Sequence, residues 1–413
     1  MSKSNKYIWR VNEELPIIDD HSLVKLEIIE KYLETYIKHL AILPFTDKLK
    51  FAIIDGFSGG GLYRAVNNQI ISGSPLRILG AIQRLKKEIS IERETKNFKN
   101  IEFDIPIYLI EKNKATFEFL QKTLSEKSLS SMCEVINGEF EKIYLQIIQK
   151  LKMQKYQRAI FILDQYGYAD ATINTIKNIL TNFKNTEVIL TFACDSLIDY
   201  LSVKNKTALI NLGLDNNDIE HLLDTKIDND DNRKILQFNL LDSIIKKINP
   251  HFYTPFFVKG ENTHRAYWLL HFSNHPIARN EMVKLHYENH NAFIHYGGEG
   301  LDMFGYSSKD KKTLNLFLFA ESDKQKSLKS IQRQIQEKIT QYNNKTFGEF
   351  IKNEINDTPA TIEIIQESLK EYLRYGDIEI IDIEKNKKIK NYKDIKLENL
   401  IKIPKIRQGR FDF

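Results

Sequence analysis

Seven residues, Asp55-Gly56-Phe57-Ser58-Gly59-Gly60-Gly61, constrain this chain more than any others. They hold four of the 17 glycines in a sequence of 413 residues. They follow directly on Lys50-Phe51-Ala52-Ile53-Ile54, which reads as a short buried strand. Glycine lets a backbone turn tightly and approach a partner that any side chain would hold off. At the carboxyl end of a strand in a parallel sheet, such a turn lies on the edge where ligands bind.

The rest of the chain supplies the sheet. Apolar runs recur at 105–110, 133–136, 159–163 and 188–192, separated by helical patterns at 75–86, 114–124, 140–152 and 171–183. Strand–helix alternation of this kind predicts an α/β fold, a doubly wound parallel sheet with helices on both faces. The pair 252–258 and 266–272 is joined too briefly for a crossover helix and predicts an antiparallel hairpin at one sheet edge. A helix over 20–40 precedes the first strand, carrying Leu23, Leu26, Ile29, Leu33 and Ile37 on one face. Residues 201–247 read as a polar, helical insertion.

After Lys309-Asp310-Lys311-Lys312 the character changes. Helical segments at 324–342, 347–355 and 358–375 lead into an extended stretch, 378–383, a Lys-rich turn, 385–388, and a second extended stretch. Three helices followed by a hairpin predict a winged helix-turn-helix domain over 321–413, behind a sheet domain over 1–320.

Charge and cysteine content narrow the function. The 60 Lys and Arg nearly balance the 55 Asp and Glu, which excludes a wholly cationic binder but permits a local patch. That patch is expected between 385 and 410, where ten Lys or Arg face two acids. Lys385, Lys387, Lys388 and Lys390 are its candidate nucleic-acid-binding residues. The two cysteines, Cys133 and Cys194, supply neither a disulfide scaffold nor a four-cysteine zinc site. His264, His271 and His275 lack the spacing and companions of a metal set, so no metal is expected. With no apolar run long enough to span a bilayer and no secretory core behind Met1–Lys6, a cytoplasmic protein is expected.

Acids stand at other strand ends too. Glu111 closes 105–110, where a carboxylate is placed to accept hydrogen bonds from both ribose hydroxyls of a nucleoside ligand. Asn137-Gly138-Glu139-Phe140 follows the third strand. It fits either an adenine-contacting turn with Phe140 against the ring, or a plain helix N-terminus capped by Asn137. Asp164-Gln165-Tyr166-Gly167-Tyr168 follows the fourth, where an acid can orient an amine and aromatic rings can stack a base. Asp195-Ser196, after the fifth, is a site residue or a helix cap.

The glycine turn resembles the first motif of S-adenosylmethionine-dependent methyltransferases. Taken in order, the chain resembles one family, the three-Cys-motif partner proteins (TcmP), over about residues 20–290. The residues that carry this are His21 and Lys25 in the opening helix, Ile54-Asp55-Gly56-Phe57-Ser58-Gly59, Gly73-Ser74-Pro75-Leu76, Leu109-Ile110-Glu111-Lys112, Asn137-Gly138-Glu139-Phe140, Asp164–Tyr168 and Asn274-His275-Pro276. The resemblance implies a Rossmann-like methyltransferase domain, S-adenosylmethionine as cofactor, a partner bearing a three-cysteine motif, and a mobile-element or phage-defence setting. It places Asp55, Gly56, Phe57, Gly59, Glu111, Glu139 and Phe140 at the cofactor, and Asp164, Tyr166 and Tyr168 at the methyl acceptor. Gln165 stands where the family commonly has proline, and Glu139 where it commonly has aspartate. The expected function is methyl transfer involving DNA or RNA. The alternative is a non-catalytic component that keeps the fold and binds nucleic acid or protein.

Overall fold

The computed structural model describes residues 7–165, 170–199, 206–225, 230–259, 266–288, 293–295, 315–317, 321–356 and 358–404. The chain divides into two compact units, Met1–Glu281 and Met282–Phe413.

The first unit is built on a seven-stranded sheet. Its strands are β1 (Ala52–Asp55), β2 (Ile107–Glu111), β3 (Glu134–Asn137), β4 (Arg158–Leu163), β5 (Asn185–Phe192), β6 (Phe252–Lys259) and β7 (Ala266–Ser273). They lie in the order β6-β7-β5-β4-β1-β2-β3. β1 to β5 are mutually parallel, while β7 runs antiparallel to both β5 and β6. The predicted hairpin is therefore present, with its second strand inserted against β5. The inner strands are continuous apolar runs, as sheets covered on both faces require. Ala52–Ile54 and Ala159–Leu163 are fully buried.

Helix α1 (Asp20–Ala41) precedes β1, and crossover connections carry α2 (Ser74–Thr95), α3 (Lys114–Glu126), α4 (Phe140–Met153) and α5 (Ile173–Asn182). α1 packs on α2, and α4 on α5. The insertion after β5 is helical: α6 (Cys194–Asp199), α7 (Lys206–Leu212), α8 (Asn216–Thr225) and α9 (Asp230–Ile248). Helix α10 (Pro276–Glu288) follows β7.

One helix outruns its sequence pattern. The sequence pattern predicts a helix over 75–86 followed by a polar stretch, yet α2 continues to Thr95 because Leu85, Ile89 and Arg93 keep one face buried. Arg93 is 2% exposed. Carbonyls hold it: its guanidinium donates to those of Ala41, Leu43, Pro44, Thr46 and Lys99 at 2.6–3.1 Å.

The second unit contains α11 (Glu321–Ile339), α12 (Phe347–Glu354), α13 (Ile362–Ser368), α14 (Lys370–Tyr375) and the antiparallel strands β8 (Glu379–Asp382), β9 (Lys387–Ile389) and β10 (Leu400–Lys402). β8 lies between β9 and β10. A capping box between Thr346 and Glu349 starts α12. The single helix expected over 358–375 is two. It begins only after Thr361, whose hydroxyl accepts the Ile364 N–H at 3.2 Å, and it is interrupted at Leu369. Gly376 ends it with φ at 73°, a left-handed conformation that glycine adopts without strain. Lys387 and Lys388, expected in the turn, belong to β9.

Candidate functional site

β1 has β2 on one side and β4 on the other, so the strand order reverses beside it. In open α/β sheets this reversal leaves a crevice at the carboxyl ends of the strands. The glycine turn spans that point. The Gly56 N–H donates to the Ile162 carbonyl of β4 at 2.9 Å, and the Ser58 N–H donates to the Ile110 carbonyl of β2 at 3.0 Å.

Asp55 ends β1 and is completely buried. One carboxylate oxygen accepts the Ser74 hydroxyl at 2.6 Å, at the start of α2, and the other accepts the Phe57 N–H at 3.2 Å. Burial pushes its pKa up to about 7; these hydrogen bonds oppose the shift, and the carboxylates of Asp164 and Glu111 add to it. An opposite charge entering the crevice would favour its ionised form.

Glu111 ends β2. Its oxygens accept the N–H groups of Gly59 at 3.1 Å and Asn113 at 2.7 Å. Burial raises its pKa against those two donors. The Asn137 side chain at the end of β3 donates to the Glu111 carbonyl at 2.8 Å, and the Gly138 N–H donates there at 3.0 Å. Asn137 therefore braces the end of β2, and α4 begins after Glu139 without a side-chain cap.

Asp164 follows β4. Lys25 of α1, 5% exposed, donates to it at 2.6 Å and forms an ion pair with it. The next residue, Gln165, is 2% exposed; its side-chain oxygen accepts the Ala171 N–H at 2.9 Å, and its side-chain nitrogen has no hydrogen-bond partner among the described residues. Tyr166 and Tyr168 lie outside the described residues.

Apolar groups wall the same place. A Cβ added at Gly56 would lie 2.8 Å from Leu163 and 2.9 Å from the Phe140 ring, so only glycine fits. Phe140 packs on Phe57 with ring centroids 5.7 Å apart. Two aromatic residues that sequence reasoning passed over also belong here. Tyr63 lies in the field of Asp164, Asp55 and Glu111, and burial with those carboxylates pushes its phenol pKa upward. Trp9 lies over Gly59 and Gly60. Its rarity was the available signal, since the chain has two tryptophans.

The structure thus gathers Asp55, Gly56, Phe57, Gly59, Glu111, Phe140 and Asp164 around one turn. Glu139 is an exposed carboxylate paired with Lys142 at 2.7 Å, which lowers its pKa. Lys385, Lys387, Lys388 and Lys390 are exposed in and around the β8–β9 turn. Lys388 pairs with Glu379, and Lys385 lies 4.0 Å from Asp382. Lys405, Arg407 and Arg410 lie outside the described residues, as does His264. His271 is buried against Glu187 at 3.1 Å. Among the described residues no group of three or more His, Cys, Asp or Glu is placed to hold a metal, and no helix is long and apolar enough to cross a membrane.

No protein-family model matches the sequence, and no curated protein matches it. Solved structures do align with it. Trm1 from Pyrococcus horikoshii, in complex with S-adenosyl-L-methionine, is 9% identical over 96% of this chain and 94% of that one, with a TM-score of 0.36. TrmN from Thermus thermophilus is 10% identical over 58% of this chain and 48% of that one, at 0.26. The human methyltransferase 10 domain containing protein is 10% identical over 60% and 82%, at 0.26. The neighbours are class I S-adenosylmethionine-dependent methyltransferases. The mostly parallel sheet, with its single reversed strand and acid-lined switch point, is a Rossmann-like α/β arrangement.

Proposed function

We propose that this chain is an S-adenosylmethionine-dependent methyltransferase acting on nucleic acid. One observation carries the reading: Asp55, Glu111 and Asp164, the ends of three adjacent strands, surround a glycine turn at the point where strand order reverses. A cofactor with an ammonium group, a ribose diol and a flat base matches that set in chemistry. Asp55 would hold the ammonium and Glu111 the ribose hydroxyls, with Phe57 and Phe140 as the apolar wall. The cofactor supplies the electrophilic methyl group when bound; the chain's own residues bind, orient and exclude water. Lys25 keeps Asp164 positioned, and as a carboxylate Asp164 would accept a hydrogen bond from an amino group of the methyl acceptor.

The nucleic-acid part of the reading rests on charge. In the second unit, the four helices α11 to α14 precede a three-stranded antiparallel sheet, close to the plan of a winged helix, and Lys385, Lys387, Lys388 and Lys390 lie in and around its β8–β9 turn. Such a turn would meet phosphates. A partner with a three-cysteine motif and a phage-defence setting belong to the same proposal.

Isothermal titration with S-adenosylhomocysteine tests the first step. Binding by the wild type and its loss in Asp55→Ala supports the reading, and no heat from either overturns it. A radiolabelled methyl-transfer screen over DNA, RNA and protein then separates an enzyme from a non-catalytic component that has kept the fold.

A further inference from the structure

The glycine turn already has an occupant. A Cβ built on Gly60 would lie 2.2 Å from Cγ of Trp9 and 2.5–2.6 Å from its neighbouring ring atoms; one on Gly59 would lie 3.1–3.7 Å from the six-membered ring. The indole therefore lies across both residues, on the side their missing side chains would take. It is well held there. The Trp9 backbone N–H donates to the Thr116 hydroxyl at 3.3 Å, and the indole N–H donates to the Leu62 carbonyl. Tyr63 meets the indole edge-on at 5.1 Å, and Tyr7 stacks on it at 6.1 Å. The Tyr7 hydroxyl donates to Asp19 at 2.7 Å. Farther along, the Arg64 N–H donates to the Pro16 carbonyl, the Ile18 N–H donates to the Arg64 carbonyl, and Arg64 pairs with Glu14. Residues 7–19 thus form a strap pinned at both ends, with its largest side chain seated on the turn.

Gly59 is also the residue whose N–H holds Glu111. A ligand that runs across Gly59 and Gly60 to reach Glu111 would need the surface the indole covers. Trp9 is 3% exposed, so there is no layer of water between it and the turn for a ligand to replace.

We propose that Trp9 is an intramolecular competitor for the cofactor cradle, and that S-adenosylmethionine binds only when the strap lifts the indole off Gly59 and Gly60. This rests on the cofactor reading given above. The affinity seen in solution is then the intrinsic affinity multiplied by the fraction of chains with the strap open. Removing the indole raises that fraction.

The experiment uses the full chain and S-adenosylhomocysteine. Trp9→Ala should bind about tenfold more tightly than wild type, the gain expected when a site open in about one chain in ten becomes always open. Tyr7→Phe, which loses the anchor to Asp19, should shift affinity in the same direction by a smaller factor. Trp268→Phe leaves Trp9 as the single tryptophan, because Trp268 is the only other one. In that variant, saturating S-adenosylhomocysteine should shift Trp9 emission to the red as the indole enters water. Equal or weaker binding by Trp9→Ala, or Trp9 emission that is unmoved or blue-shifted while the ligand binds, overturns the proposal and leaves the cofactor reading standing. If Trp9→Ala does not melt cooperatively, Tyr7→Phe and the emission of Trp268→Phe decide. No binding by wild type or any variant overturns both.

Discussion

At Asp55 and Glu111 most of the groups that meet the carboxylates are loop N–H groups; at Glu187, buried on β5, they are side chains from other elements. Glu187 accepts the Tyr32 hydroxyl of α1 and the His271 imidazole of β7. Asp55 accepts the Phe57 N–H and the Ser74 hydroxyl, and Glu111 the N–H groups of Gly59 and Asn113. Both arrangements satisfy a buried acid, but they differ in what happens when the acid is removed. Loop N–H groups at a sheet edge can turn to water or ligand, whereas the His271 imidazole is completely buried and the Tyr32 phenol has only the Ala278 carbonyl, at 3.4 Å, to fall back on. The first pattern suits a site and the second suits a joint between layers.

Substitution should separate the two. Asp55→Ala should lower affinity for S-adenosylhomocysteine by at least about 100-fold, or about 3 kcal/mol, the scale of lost charge-assisted hydrogen bonds. Its melting temperature should move little. Glu187→Ala should do the reverse, costing about 2 kcal/mol of stability by leaving the buried His271 nitrogen without its carboxylate and the Tyr32 hydroxyl with only the long bond to the Ala278 carbonyl, with ligand affinity intact. Titration and thermal melts on both variants check this. If Glu187→Ala loses binding and keeps its stability, the distinction fails.

The pH dependence sharpens the same contrast. Asp55 has an ordinary pKa of 3.8, raised to about 7 in the folded chain. Between those values the folded chain holds a proton that the unfolded chain has released. The resulting stabilisation is present at low pH and disappears as pH rises through about 7. It should amount to about 2 kcal/mol between pH 5 and pH 7, and Asp55→Asn should flatten it in denaturant melts. Cofactor affinity should move the opposite way, rising with pH as Asp55 ionises.

Lys25→Met tests whether Asp164 works as a site acid. With its cation removed, turnover should fall about tenfold, less than the roughly 100-fold or more that losing a positioned acid–base group itself costs, because Asp164 stays in place, with cofactor affinity nearly constant. The smallest effect is expected in the second unit. Replacing Lys385, Lys387, Lys388 and Lys390 by alanine should make the slope of log K against log salt shallower by about 2, since each phosphate contact contributes about 0.9 and two of these lysines already face acids of their own hairpin. An unchanged slope would remove nucleic acid from this surface.

Much of the first unit was legible in the sequence because buried parallel strands are continuous apolar runs with polar residues at their ends. Asp55, Glu111 and Asp164 stood out for that reason. What escaped depends on contacts far apart in the chain. Lys25 finds Asp164 across 139 positions, and Trp9 finds Leu62 across 53; no local pattern encodes either meeting. α2 looked too polar beyond Lys86 because one of its buried positions is an arginine. The late helix over 358–375 was drawn too long because Thr358-Pro359 mimics a helix start, while the working cap is Thr361.

That arginine in α2 has a reach beyond its own helix. Arg93 grips the carbonyls of Ala41, Leu43, Pro44 and Thr46, the stretch that leaves α1 and leads toward β1. It works as a splint across that stretch, alongside the backbone bonds from the Thr46 N–H to the Leu43 carbonyl and from the Lys99 N–H to the Pro44 carbonyl. Lys25 sits on the opening turns of that same helix. Arg93 thus fastens the far end of the helix whose opening turns carry the partner of Asp164, and lysine, with one ammonium in place of a five-donor fork, could hold fewer of those carbonyls.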